Sequence, residues 1–140
     1  MINVHATLVS YKNKGILLIG PSGSGKSDLA LRMITGYSAK LVADDRVNLY
    51  VRNNSLYGSA PKEIFNKIEI RNVGIATVVA KKHSKVSLCV ELCLNRKEID
   101  RLPYPEYIDF LGISVEKIRL YPFDCSTICK IIAKISGIIS

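Results

Sequence analysis

The chain has 140 residues, 48% of them hydrophobic, which suits one globular domain around one core and leads us to expect a single domain over residues 1–140. No apolar run approaches the roughly 18 residues that cross a bilayer, and Met1 to Ser10 lacks the basic and long apolar regions of a secretion signal, so no membrane partner and a cytoplasmic location are expected. The net charge is +8, but the lysines (Lys12, Lys14, Lys40, Lys62, Lys67, Lys81, Lys82 and Lys85 among them) are scattered, without a basic stripe or interleaved aromatic residues, which argues against nucleic acid as the partner.

The segment Val4 to Ser10 is short and mildly apolar, and Tyr11 to Gly15 reads as a turn. Ile16 to Ile19 is a branched, continuous apolar run, the mark of a buried strand. A glycine-rich loop follows. Then Leu29, Ala30, Met33 and Ile34 recur at helical spacing, with Asp28 in the first turn and Gly36 placed to end the helix. Leu41-Val42-Ala43 is a short strand running into Asp44-Asp45. Val47, Leu49 and Val51 alternate with polar residues before the turn dipeptide Asn53-Asn54, which predicts a hairpin over Val47 to Tyr57. Ile68 to Ala80 reads as strand, interrupted at Gly74. Val86, Leu88, Val90, Leu92 and Leu94 alternate strictly and predict the clearest strand. Asn95 to Asp109, with Pro103 and Pro105, reads as loop, and Ser114 to Tyr121 as a further strand. Ile128, Ile131, Ile132, Ile135, Ile138 and Ile139 form a helical packing stripe. One helix followed by several strands, rather than strand and helix repeating to the end, predicts a β-rich α/β domain with mixed and antiparallel sheets, a helix after the loop and a second at the C-terminus.

Four cysteines occur as two pairs spaced by four, Cys89 with Cys93 and Cys125 with Cys129, which is not zinc-ribbon spacing. The first pair would share a strand face and the second a helix face. The loop Gly20-Pro21-Ser22-Gly23-Ser24-Gly25-Lys26-Ser27 carries the most specific chemistry. It matches G-x-x-x-x-G-K-[ST], preceded by a buried strand and followed by an amphipathic helix. Glycines let backbone N–H groups wrap a phosphate, and the helix N-terminus adds its dipole. Lys26 would reach the β- and γ-phosphates of a nucleoside triphosphate, and the Ser27 hydroxyl would bind Mg2+.

Asp44 and Asp45 stand 18 and 19 residues beyond Lys26 at a strand end. Adjacent carboxylates in a strand point to opposite sides and so take different tasks, one catalytic and the other orienting a neighbour or the metal. A solvated acidic turn is the other reading. A lone His5 beside apolar residues is more often structural than functional. Glu69 and Arg71 share a strand face, either as a polar outer face or as a functional pair. Arg101, in a proline-containing loop, is either surface or a bridge to a transferring phosphoryl group.

Taken together these segments resemble the catalytic domain of HPr kinase/phosphorylase. His5-Ala6-Thr7-Leu8-Val9 is similar to that family's His-Gly/Ala-x-Leu-Val, 15 residues ahead of Gly20. Leu41-Val42-Ala43-Asp44-Asp45-Arg46-Val47 resembles Leu-Ile/Val-Ala-Asp-Asp-x-Val, and Gly58-Ser59-Ala60-Pro61 resembles Gly-x-Ala-Pro. Ile68-Glu69-Ile70-Arg71-Asn72-Val73-Gly74-Ile75 resembles the signature Leu-Glu-Ile-Arg-Gly-x-Gly-Ile, and Asp100-Arg101-Leu102 a later Asp-Arg-Leu. The likeness runs from about Asn3 to Phe123. Two departures stand out. Asn72 occupies the position of the signature glycine, and Tyr121 to Thr127 replaces the Gly-Arg-Asn stretch, as in the short alphaproteobacterial form that lacks the N-terminal regulatory domain.

The resemblance implies a phosphate-loop fold related to that of phosphoenolpyruvate carboxykinase. It implies transfer of the γ-phosphoryl of ATP to a serine of HPr, the phosphocarrier of the phosphotransferase system, with phosphorolysis by inorganic phosphate as the reverse reaction. Asp45 would be the base, assisted by Asp44. Lys26 and His5 would hold the phosphoryl group, Ser27 and Glu69 would bind Mg2+, and Arg101 would neutralise developing charge. A homo-oligomer, with a hexamer as one form, is implied as well. The alternatives are a phosphate-loop small-molecule kinase or NTPase, and a nucleotide-sensing regulator without transfer.

Overall fold

The computed structural model describes residues 1–138. Eleven strands and two helices follow in the order β1 (Ile2–His5), β2 (Thr7–Tyr11), β3 (Lys14–Ile19), α1 (Lys26–Tyr37), β4 (Lys40–Ala43), β5 (Arg46–Arg52), β6 (Ser55–Ser59), β7 (Lys67–Ile70), β8 (Gly74–Thr77), β9 (His83–Leu92), β10 (Glu106–Phe110), β11 (Ile113–Leu120) and α2 (Thr127–Ile135). Nine strands form one sheet with the path β1-β5-β6-β9-β3-β2-β4, to which β11 and then β10 add beside β9. Only β3 with β9 and β9 with β11 are parallel. The other pairs, including the separate hairpin of β7 and β8, are antiparallel. The β-rich mixed α/β fold expected from the sequence is the one observed.

The sheet must curl on itself. Its path begins at β1 and ends at β4, yet Ala6 alone joins β1 to β2, and Asp44-Asp45 alone joins β4 to β5. The two ends of the path are therefore brought to one corner, where the Ala6 N–H donates to the carbonyl of Asp45 at 3.2 Å. Inside the curl lies one apolar cluster, built from Ala6, Leu8, Leu17, Val42, Val47, Leu49, Leu56, Val86 and Cys89 among others. Gly58 permits this packing, because a Cβ there would fall 2.5 Å from Leu8 Cδ2 and 3.1 Å from Val47 Cγ1. On the other face Val9, Ile16, Leu18, Leu88 and Val90 pack against Leu29, Ala30 and Met33 of α1 and Ile128 and Ile131 of α2. Alternation along β2 and β3 sends successive side chains to the two clusters, which is why β3 reads as continuously apolar.

Several sequence expectations need correction. The alternation through β9 does not keep one face: a bulge opposite Gly15–Ile16 sends Val86 into the curl while Leu88 and Val90 face the helices. The strand stops at Leu92, leaving Leu94 exposed. The loop expected over Asn95 to Asp109 contains β10, paired with β11 through a turn at Leu111 and Gly112, both at positive φ. Helix α1 runs through Gly36 and is capped by Ser38, left-handed at φ 59°, whose N–H donates to the Met33 carbonyl. Cys125 precedes α2, so it does not share a helix face with Cys129. Ile128 and Ile131 are buried as the stripe predicts, Ile138 is exposed, and Ile139 lies outside the described residues.

Candidate active site

The phosphate loop spans the short distance from the end of β3 to the start of α1. Gly25 is the residue before the helix, at φ 93°, a left-handed value that favours glycine. A Cβ on it would also stand 2.9 Å from the Phe123 ring. Lys26, Leu29, Ala30 and Met33 are the buried positions of α1, so the helix packs one face on the sheet while its N-terminus points out of the core. The Lys26 ammonium donates to the carbonyls of Gly20 and Pro21 at 2.7 and 3.0 Å. Burial draws its pKa below the ordinary lysine value of 10.5, and the nearby carboxylates of Asp45 and Asp44 pull back the other way. Ser24 Oγ is buried with no hydrogen-bond partner, an orphaned polar atom inside the loop.

The two aspartates divide, as their adjacency suggested. Asp44 is buried at the strand corner, and its Oδ1 accepts from Ser27 Oγ at 2.7 Å and from Thr7 Oγ1 at 3.0 Å. Asp45 turns outward, with 71% of its side chain exposed, and its Oδ1 stands 3.1 Å from His5 Nε2. Its backbone explains the turn. The Arg46 N–H donates to the Asp44 carbonyl at 2.8 Å across an Asp45 held at φ 70°, a γ-turn of the rare positive-φ kind. The corner is pinned on both sides, since β1 pairs His5 with Arg46 and β2 pairs Leu8 with Ala43. His5 and Thr7 thus meet Asp45 and Asp44 respectively.

A cleft of about 470 Å³ opens over the loop. Its lining includes His5, Thr7, Lys26, Ser27, Asp45 and Glu69. Glu69 arrives on the β7–β8 hairpin, which Ile68 anchors in the core beside Leu29 and Met33 of α1. Arg71 also faces the cleft, from the turn beyond the strand rather than from the strand itself. Asn72 stands there at φ 71°, so the asparagine in the glycine position keeps the left-handed backbone; asparagine tolerates this region better than any residue with a larger side chain. Arg101 lies apart, exposed in the segment before β10, and does not line the cleft. The sequence reading missed Thr7 and Phe123. Thr7 stands two residues from His5, a spacing that alternation could have flagged. Phe123 carried no local signal, and comes to the loop only through tertiary packing.

The donors fit a hard cation bound together with phosphates. Ser27 and Asp44 place a hydroxyl and a carboxylate side by side, the sparse oxygen set that Mg2+ accepts when phosphates and water complete its octahedron. Among the described residues no cluster of three or more His, Cys, Asp or Glu side chains would hold a metal by itself.

Fold and site define a phosphate-loop domain with a carboxylate–histidine pair beside the loop. Residues 1–136 match the HPr Serine kinase C-terminal domain, and the chain belongs to that family. It is similar to the HPr kinase/phosphorylase of Streptococcus thermophilus (37% identical over 126 residues, 84% of this chain and 38% of that protein). It is similar also to that of Caldicellulosiruptor bescii (38% over 125 residues, 81% and 40%). Among solved structures, the Hpr(Ser) kinase/phosphatase from Coxiella burnetii superposes with a TM-score of 0.84 at 26% identity, covering 98% of this chain and 89% of that one. The chain spans about two fifths of the length of the curated relatives it matches.

Proposed function

We propose that this domain is a protein-serine kinase that transfers the γ-phosphoryl of ATP to a serine of the phosphocarrier HPr. The observation that carries the reading is the exposed Asp45 carboxylate beside the phosphate loop, bonded to His5 and set apart from an Asp44 that is bonded to Ser27. The loop N–H groups and Lys26 hold the triphosphate. Asp45 accepts the proton of the incoming serine hydroxyl as its oxygen bonds to the γ-phosphorus and the bond to the ADP oxygen breaks. His5 orients that carboxylate and faces the transferring group. Asp44 holds the Ser27 hydroxyl in place, with Thr7 fixing Asp44 in turn. Ser27, Asp44 and Glu69 are the groups available to Mg2+, which when bound supplies charge neutralisation across the phosphates.

The same groups serve the reverse direction. Protonated Asp45 would return a proton to the serine oxygen as inorganic phosphate attacks phosphoserine, giving pyrophosphate. Arg101 belongs to this reading only through its sequence context, and reaches the reacting phosphoryl only if its loop closes over the cleft. A cytoplasmic enzyme acting on a soluble carrier, as a homo-oligomer and without nucleic acid, completes the proposal; among the described residues no helix is long and apolar enough to cross a membrane.

The test mixes the protein with γ-labelled ATP, Mg2+ and HPr and follows label onto HPr. Label in phosphoserine supports the reading. Nucleotide binding without label on HPr would leave a nucleotide sensor instead. A second reaction, with phosphorylated HPr and inorganic phosphate, reads pyrophosphate release for the reverse direction.

A further inference from the structure

The segment Tyr121 to Asp124 is held against the phosphate loop by more than its own length requires. Arg96 makes a two-pronged ion pair with Asp124, at 2.7 and 3.0 Å, and lies 3.9 Å over the Tyr121 ring. Arg32 of α1 donates to the Pro122 carbonyl at 2.6 Å while pairing with Asp28 one turn earlier. Tyr121 meets Phe123 edge to face, with centroids 5.8 Å apart. The product of these contacts is the fixed position of one ring. The Cζ and Cε1 edge of Phe123 rests on Gly25, yet the residue remains 51% exposed and lines the cleft. An aromatic face is thus pinned open beside the phosphate loop, where burial against the core would have been the cheaper use of the ring.

The cleft has a direction. Ser27, Asp44, His5 and Asp45 gather at the end where a phosphoryl group would leave. Gly25, Asp28 and Leu31 line it with Phe123, and the bond from Arg32 ties the Phe123 segment to this helix face. We propose that Phe123 is the stacking platform for the base of the bound nucleotide, with Leu31 as its apolar flank. The proposal rests on the reading that the loop holds a nucleoside triphosphate. It names what the replaced stretch Tyr121 to Thr127 does in this chain. Pre-orienting the ring removes the cost of ordering it on binding.

The chain has no tryptophan, so Phe123→Trp introduces a single fluorescent reporter at the site. Titrations with MgATP and with magnesium tripolyphosphate separate base from phosphates. The expected result is a fluorescence change with ATP and little with tripolyphosphate. Phe123→Ala should weaken ATP binding about tenfold, as for one base–aromatic stack, leave tripolyphosphate binding within about twofold, and be rescued by Phe123→Trp. Equal weakening of both ligands would make Phe123 a prop for the loop and overturn the proposal, as would undiminished ATP binding. Wild-type protein that binds tripolyphosphate as tightly as ATP would also overturn it while leaving the phosphate loop intact. Protein that binds neither ligand would remove the nucleotide reading, and the stack with it.

Discussion

Asp45 and Lys26 show how the corner at the end of β4 sets the properties of single groups. Asp45 is kept at positive φ by the hydrogen bond that spans it, a conformation that costs free energy and is held by the strand pairing on either side. That cost turns the carboxylate out of the core while its neighbour stays in. Lys26 is buried and depressed below 10.5. Its unfolded form binds the proton more tightly than its folded form, so deprotonation of the native protein sets in below the ordinary lysine range. ATP affinity should therefore begin to fall at a pH under 10.5, while folding stability gains from this group over the same window. Lys26→Arg should remove the alkaline fall in affinity; equilibrium binding from pH 7 to 10.5 checks it, and an unchanged fall in the variant would assign it to another group. At this scale the sequence was legible where chemistry is local. Gly20 to Ser27, Asp44, Asp45 and Glu69 were all visible as residues, and all but the buried Asp44 and part of the loop line the cleft over the loop. His5 was ambiguous alone, because nothing in a single histidine says which strand corner it will meet.

Among elements, the β7–β8 hairpin carries Glu69 to the cleft and depends on a left-handed residue at its turn. Asn72 meets that need, so Asn72→Gly should fold with near-unchanged stability, whereas Asn72→Val should cost about 1–2 kcal/mol, the usual penalty for a side chain with left-handed backbone. Urea unfolding of the two variants tests this; equal stability would show the turn to be free to rearrange. The hairpin was half legible: Gly74 marked the break, but the break is a reversal of the chain rather than an interruption of one strand. Strand β10 was illegible because Pro103 and Pro105 and a polar composition argued for loop, and its pairing with β11 outweighs that local preference. The bulge in β9 was hidden for the opposite reason, since both faces of that strand are apolar and a slip of one residue leaves no trace in the pattern.

At the scale of the molecule, the curl that brings the ends of the sheet together creates both the core and the corner that carries Asp44 and Asp45. Its interior holds Cys89, while Cys93 lies just past the end of β9. Burial pushes the Cys89 thiol up to about 12, and Cys93 is buried and raised as well, whereas Cys125 and Cys129 are exposed. Native protein at pH 8 should therefore react rapidly with a thiol reagent at two positions and at all four only in denaturant; fast labelling of Cys89 in the native state would show that the curl opens. The topology that forms this corner was beyond the sequence, because pairing β1 with β5 and β2 with β4 joins residues 30 to 47 positions apart with no local mark. What the corner does is the central claim. The most direct measurement compares phosphorylation of HPr by wild-type protein and by Asp45→Asn, each saturated with MgATP. The account predicts serine phosphorylation by the wild type and a loss of about 10²–10⁴-fold in the variant, with ATP affinity kept within about twofold. Transfer by Asp45→Asn at the wild-type rate, or no phosphate on HPr from a wild-type protein that binds ATP, would contradict it.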